Sequence, residues 1–161
     1  MTWARATSSR IADELPKTAD AVVIGGGVIG TSIAYHLAKK GFGRIALVER
    51  SYLACGSSGR CGAGVRQQWG TKLNCLLSID SVKAFERMDE ELGYSRSIEF
   101  KQGGYLLLAY TRREAEQFRE NVRLQQELGI PVSLLTPSEA REIVPILNTD
   151  CVHLATFCPT D

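Results

Sequence analysis

The spacing of apolar positions changes several times along this chain, and each change marks an element. Asp20-Ala21-Val22-Val23-Ile24 is short, β-branched and almost wholly apolar, which predicts a parallel strand covered on both faces. From Val28 to Lys40, residues Ile29, Ile33, Ala34, Leu37 and Ala38 recur at helical spacing, and Lys39-Lys40-Gly41 puts cations and a glycine where a helix ends. Arg44-Ile45-Ala46-Leu47-Val48-Glu49 follows as a second strand, so the fold class begins as α/β, with a βαβ unit. From Thr71 to Leu92, residues Leu76, Ile79, Val82, Phe85, Met88 and Leu92 form a stripe opposite Asp80, Lys83, Glu86, Arg87 and Glu90. That predicts a long helix closed by Gly93, with its Met and Phe in the core.

Beyond Gly93 the pattern turns to antiparallel α+β. Ile98–Lys101 and Tyr105–Tyr110, separated by Gln102-Gly103-Gly104, read as strand, turn and strand. A helix over Arg112–Leu128 buries Ala115, Phe118, Val122 and Leu128 and stops at Gly129-Ile130-Pro131. Val132–Leu135 is a short strand, Thr136-Pro137-Ser138-Glu139 is a capping box with proline at the first helical position, and a short helix runs on to Pro145. Cys151–Phe157 reads as one more strand. These patterns divide the chain into a leader (1–18), a first part (19–92) and a second part (93–161).

The candidate chemistry lies between the first strand and helix. Gly25-x-Gly27-x-x-Gly30 alone is a weak motif, but here it follows a buried-type strand and opens a helix. In that position Gly25 takes the tight turn, Gly27 lets the main chain approach a phosphate, and Gly30 lets the helix pack on the strand. Val28 and Ile29 carry the first helical amides, which face an anion. Glu49 stands at the end of the second strand, 19 residues beyond Gly30, where an acid accepts hydrogen bonds from both ribose hydroxyls and repels a 2′-phosphate. The plain alternative is a glycine-rich βαβ turn with an incidental surface acid.

The segment after Glu49 is small and polar, from Arg50 through Ser57, Ser58, Arg60, Cys61, Gly62, Ala63 and Gly64 to Gln68. Glycines at 56, 59, 62 and 64 are costly inside a packed element and suit a backbone passing a flat or phosphorylated ligand. Ser57 and Ser58 can donate to pyrophosphate oxygens, and Arg60 and Arg66 offer forked donors. A surface linker with two solvated arginines is the alternative.

Composition narrows the partners. The 161 residues carry 19 basic and 18 acidic side chains, a net charge of +1, which gives no electrostatic footprint for nucleic acid or an anionic membrane. Small molecules are the expected ligands. Five spread cysteines (55, 61, 75, 151, 158) with two histidines make neither a disulfide framework nor a metal site, and suit reduced thiols in the cytoplasm. No apolar run approaches the ~20 residues of a membrane span. The leader has Arg5, Arg10, Ser8 and Ser9 but also Asp13 and Glu14, so a transit peptide is only a weak alternative there. His36 and His153 read as packed or surface residues, and Cys61 as a small space-filler.

The glycine fingerprint, Glu49-Arg50, Gly56-Ser57-Ser58-Gly59 and Arg60-Cys61-Gly62-Ala63-Gly64-Val65-Arg66-Gln67-Gln68 together resemble FAD-dependent amine oxidoreductases of the D-amino-acid oxidase superfamily. Within it they are most like the β subunits of dye-linked L-proline dehydrogenase and heterotetrameric sarcosine oxidase. Gln102-Gly103-Gly104-Tyr105-Leu106, Leu134 to Ala140 and Pro159-Thr160-Asp161 extend the resemblance over nearly the whole chain from Ala19. It implies a Rossmann-like FAD-binding part over 19–92, then the start of an α+β substrate domain over 93–161.

By the same resemblance Gly25, Gly27, Val28, Ile29 and Gly30 hold the FAD pyrophosphate and Glu49-Arg50 the ribose side. Ser57 and Ser58 sit by the phosphates, and Arg60, Cys61, Gly62, Ala63 and Gly64 run beside the isoalloxazine. In two-flavin members an FMN lies at a subunit interface, and Arg66 and Gln67 are where its contacts belong. The implied reaction oxidises a secondary amine or imino acid such as L-proline or sarcosine, with hydride passing to flavin N5. No catalytic residue is assigned, because the resemblance places those groups in a carboxy-terminal part. The chain therefore reads as an amino-terminal fragment or split-gene product. A non-catalytic dinucleotide-binding or docking subunit, and less well a nicotinamide-dependent dehydrogenase, are the competing functions.

Overall fold

Two parallel strands joined by one helix open the fold in the computed structural model, which describes residues 16–93 and 95–161. β1 (Ala21–Ile24) and β2 (Ile45–Val48) pair in the register Ala21↔Ile45 to Ile24↔Val48, and α1 (Val28–Lys39) is the crossover between them. The return into β2 is set by Asp20, whose carboxylate accepts the Arg44 N–H at 2.7 Å. Gly43 has φ +105°, and a Cβ there would sit 2.5 Å from the Asp20 carboxylate, so glycine is needed both for conformation and for space. Of the leader expected over 1–18, all but 16–18 lies outside the described residues.

The expectation that β1 is covered on both faces does not hold. Ala21 and Val23 are half-buried, with the Val23 side chain facing Gly30 of α1, while Val22 and Ile24 are 59% and 85% exposed. The sheet of this first unit has two strands and α1 against one of its faces, so every second residue of β1 faces outward.

Packing divides the chain into a unit ending at Ala63 and a unit beginning at Gly64. The change of period comes later, at Gly93, because α2 (Lys72–Leu92) packs within the second unit. Its Cys75 is fully buried with Val122, Ile130, Val132 and Cys158, and Trp69, Ile79 and Leu128 pack around them. Burial pushes the Cys75 and Cys158 thiols above the ordinary range, so both behave as small neutral core residues. The stripe is narrower than the sequence suggests. Its line runs through Cys75, Ile79 and Val82, leaving Leu76 and Leu92 exposed.

The second sheet is antiparallel in the order β3-β5-β4, from β3 (Tyr105–Ala109), β4 (Ser133–Leu135) and β5 (Leu154–Cys158). β5 is central and nearly all buried, and Thr156 faces Leu107 on one side and Leu134 on the other. α3 (Arg112–Glu127) lies on this sheet through Ala115, Val122 and Gln125, and α4 (Pro137–Ile143) follows β4. Ala109, Ala115 and Leu154 form a second small core with Phe118 against it. Residues 98–101 are not a strand, and β3 pairs with β5 instead. The Asp89 carboxylate takes the Ser97 hydroxyl and the Ile98 N–H, and Glu99 has φ +57°, a left-handed residue that stops an extended ladder.

Both α3 and α4 start with the complete reciprocal cap. Thr111 accepts the Glu114 N–H while Glu114 takes the Thr111 N–H, and Thr136 and Glu139 do the same. Thr111→Ala removes one half of the first cap and is expected to cost about 1 kcal/mol, measured as a lower midpoint in chemical denaturation with unchanged slope.

Candidate functional site

The site in the first unit is built by the turn between β1 and α1. Gly25 has φ +103°, and its N–H still reaches the Val48 carbonyl at 2.8 Å, so β1 stays on β2 to its last residue. The chain then doubles back so closely that the Gly25 carbonyl oxygen occupies the place a Cβ on Gly30 would need. A Cβ on Gly27 would stand 3.0 Å from the Ser58 hydroxyl. The first main-chain bond of α1 runs from Thr31 N–H to the Gly27 carbonyl, and the amides before it are those a helix start leaves open. That of Val28 donates to Ser58 Oγ at 2.8 Å.

Glu49 closes this turn. Its Oε2 accepts the Gly26 N–H at 2.8 Å, and its Oε1 accepts the Ser51 N–H at 3.0 Å and the Cys55 thiol at 3.6 Å. The Gly26 bond, then that of Ser51, holds the carboxyl below the ordinary glutamate range, so it is ionised at neutral pH. A carboxylate has about four lone-pair positions, which leaves room for a further donor. A cleft of about 190 Å³ lined by Ile24, Gly25, Val48, Glu49 and Arg50 opens here. It lies at the carboxyl ends of two parallel strands, where doubly wound folds take their ligands.

The loop after β2 folds back on the same turn. Ala54 donates its N–H to the Gly26 carbonyl, and Gly59 donates to the Ala54 carbonyl, which lies where a Cβ on Gly59 would go. Ala54 has φ +61°. Ser57–Arg60 is one 3-10 turn, which brings Ser58 over the start of α1. Ser57, Arg60, Cys61, Gly62 and Ala63 are exposed, as is Arg50, and the Cys61 thiol donates to the Ser58 carbonyl at 3.2 Å. Of the residues singled out by sequence, Gly25, Gly27, Val28, Gly30, Glu49 and Ser58 are brought into direct contact with the turn. Ile29 is 73% exposed on the first turn of α1.

Gly64 belongs to the second unit, where the Tyr105 hydroxyl fills the space beside it. Gln67 and Gln68 are buried there. The Gln67 N–H donates to Asp161 Oδ1 at 2.7 Å and its side-chain amide to Thr160, so that side chain is already engaged. The Arg66 guanidinium lies 4.1 Å over the Trp69 ring.

Sequence reasoning passed over Gly26. It is the buried member of the turn, binding Glu49 through its N–H and Ala54 through its carbonyl, and a Cβ on it would stand 2.6 Å from Leu53. The run of three glycines held that signal, but a pattern counting only the first, third and sixth positions skips it. Cys55, the third donor to Glu49, had no sequence signal.

Comparison with known proteins agrees with this geometry. The family model described as "FAD dependent oxidoreductase" (DAO) matches residues 20–161. The chain belongs to this family. Mitochondrial dimethylglycine dehydrogenase of Rattus norvegicus is 33% identical over 144 residues, covering 89% of this chain and 16% of that protein. Among solved structures, L-proline dehydrogenase from P. horikoshii superposes with a TM-score of 0.81 at 41% identity, over 91% of this chain and 38% of that one. Glycine oxidase from Geobacillus kaustophilus gives 0.75 at 28% identity, over 88% and 39%. The chain thus spans well under half the length of these relatives. Its βαβ unit with a parallel sheet is the Rossmann-like FAD-binding arrangement of this DAO family. Among the described residues, no helix is long and apolar enough to cross a membrane.

Two outcomes follow from the turn. A group whose pKa is lowered on folding stabilises fully above its unfolded value and loses that contribution as pH falls through the folded one. The Gly26 amide resonance is therefore expected to titrate with Glu49 at a midpoint below 4.5, and the first unit to loosen as pH drops through that midpoint; a midpoint at or above 4.5 contradicts the bond. Gly30→Ala puts a methyl onto the Gly25 carbonyl, and is expected to open the turn, read as loss of amide-exchange protection at Gly25 and Gly26.

Proposed function

We propose that this chain supplies the adenine-dinucleotide cradle of an FAD-dependent enzyme that oxidises a secondary amine or imino acid such as L-proline or sarcosine. In this reading residues 19–92 contribute to the FAD-binding part and 93–161 to the substrate part. The observation that carries it is the bond between Glu49 and Gly26, which sets an ionised carboxylate against the main-chain turn in a family whose cofactor is FAD. The substrates are taken from the resemblance and from relatives named as L-proline and dimethylglycine dehydrogenases.

The residues fit the cofactor in charge and shape. Gly25, Gly27 and Gly30 have no side chain to fill the turn, and the amides of Val28, Ile29 and Gly30 offer partial positive charge to a pyrophosphate. Ser58 already places a hydroxyl oxygen at one of these amides, the position an anionic oxygen would share. Ser57 adds a donor beside it. Glu49 keeps acceptor capacity for the ribose, with Arg50 next to it on the cleft. Between Arg60 and Gly64, residues Cys61, Gly62 and Ala63 are exposed with little side-chain bulk, which suits a flat ring passing alongside. FAD, when bound, supplies the acceptor that takes a hydride from the carbon next to the substrate nitrogen, leaving an imine for release or hydrolysis. Arg66 over Trp69 and the engaged side chain of Gln67 leave Arg66 as the better candidate for an interfacial FMN with partner subunits. Five free thiols support a reducing compartment such as the cytoplasm.

Purified as part of the whole enzyme it belongs to, the chain is expected to carry a yellow flavin, and Glu49→Ala there to weaken FAD binding by about tenfold to a hundredfold, the loss of one or two hydrogen bonds to a charged group. Equilibrium dialysis measures the first effect; anaerobic bleaching of the flavin band by L-proline or sarcosine measures the reaction. A protein that binds FAD without bleaching supports the docking role instead, and one that binds no FAD overturns the cradle.

A further inference from the structure

In the second unit, α3 faces the sheet across a small cavity of about 20 Å³, lined by Gln68, Leu107, Phe118, Asn121, Val122, Gln125 and Thr156. Gln125 is 3% exposed. Its side-chain amide donates to the Trp69 carbonyl at 2.8 Å, but no protein group satisfies its buried Oε1. A buried amide oxygen left without a donor costs about 1–3 kcal/mol, a cost folded proteins avoid almost everywhere. We propose that this cavity is a binding site for one ordered water molecule, which donates to Gln125 Oε1.

Space and polarity both suit a single water. A cavity of this size exceeds the ~10–15 Å³ that one water requires, and such a water needs two to four polar partners. Three are present around the cavity. Gln125 Oε1 accepts the first proton. The Thr156 oxygen, whose own proton goes to Gln68 Oε1 at 2.6 Å, has lone pairs for the second. Asn121 uses its carbonyl oxygen for Gln117 and keeps its amide group to donate to the water oxygen.

The water completes a chain of hydrogen bonds across the unit. It runs from the Trp69 carbonyl through Gln125 and the water to Thr156, and on through Gln68 to the buried Asp161 carboxylate and the Tyr105 carbonyl. By this chain α3 holds Gln67-Gln68, the buried end of the segment that begins at Arg60. This inference is independent of the cofactor reading.

The test sets two substitutions at Asn121 against each other. Asn121→Ala keeps the space for water; Asn121→Leu fills it, and both residues are good helix formers. If the cavity is wet, expelling the water strands Gln125 Oε1, so the Leu variant has the lower unfolding midpoint and faster exchange at the Gln67 amide. If the cavity is dry, filling it with a methyl-rich side chain gives the Leu variant the higher midpoint, and the proposal is wrong. A high-resolution crystal structure of the unmodified protein provides the second measurement. A density peak within hydrogen-bond distance of both Gln125 Oε1 and Thr156 Oγ1 supports the site; an empty cavity, or a protein donor on Gln125 Oε1, overturns it.

Discussion

A single hydrogen bond organises the first unit: the Gly26 N–H donating to Glu49 across 23 residues of sequence. It joins the turn at the end of β1 to the end of β2, so strand pairing and turn geometry become one constraint. Gly25 is bonded to Val48 immediately beside it, and Ala54 returns to the Gly26 carbonyl. Two successive residues of the turn, Gly25 and Gly26, are thus held by three bonds without any side chain of their own. This is what a main-chain anion site requires, since amides can point at a ligand only if the backbone carrying them does not move. The carboxylate that fixes the turn also lines the cleft.

The second unit is held differently. Its apolar clusters are small, a few residues each, and much of its order comes from buried amides. Asp161 accepts from the Gln67 main chain and the Gln68 side chain, Gln68 accepts from Thr156, and Gln125 reaches the Trp69 carbonyl. Buried networks of this kind are costly when incomplete and specific when satisfied. Here they join residues over 90 apart in sequence, tying the segment after Gly64 to the end of β5.

Local signals were legible where the chemistry was local. The βαβ unit, the Thr136 cap, the Gly93 terminus of α2 and the glycine fingerprint follow from short stretches of sequence and are present as read, while the equivalent cap at Thr111 was not read from the sequence. The resemblance added the family. What failed depended on distant partners. Residues 98–101 looked like a strand by composition, but Asp89 and the left-handed Glu99 divert them. Leu76 looked buried by period, but Cys75 holds that line because it meets Val122 and Cys158. Gly26 was passed over because its partners are Glu49, Leu53 and Ala54.

Periodicity and turn chemistry along the chain were enough to establish the long helices, all the strands but the one expected at 98–101, and the dinucleotide-type turn after β1, because main-chain bonding and short-range sterics act between near neighbours. Which strand is central, which face of α2 is buried, and that Glu49 spends its carboxylate on Gly26 while Asp161 spends its own on Gln67 and Gln68 were settled only by the folded chain. Those outcomes are contests among residues far apart in sequence for the same space and the same donors, and only their positions in three dimensions decide them.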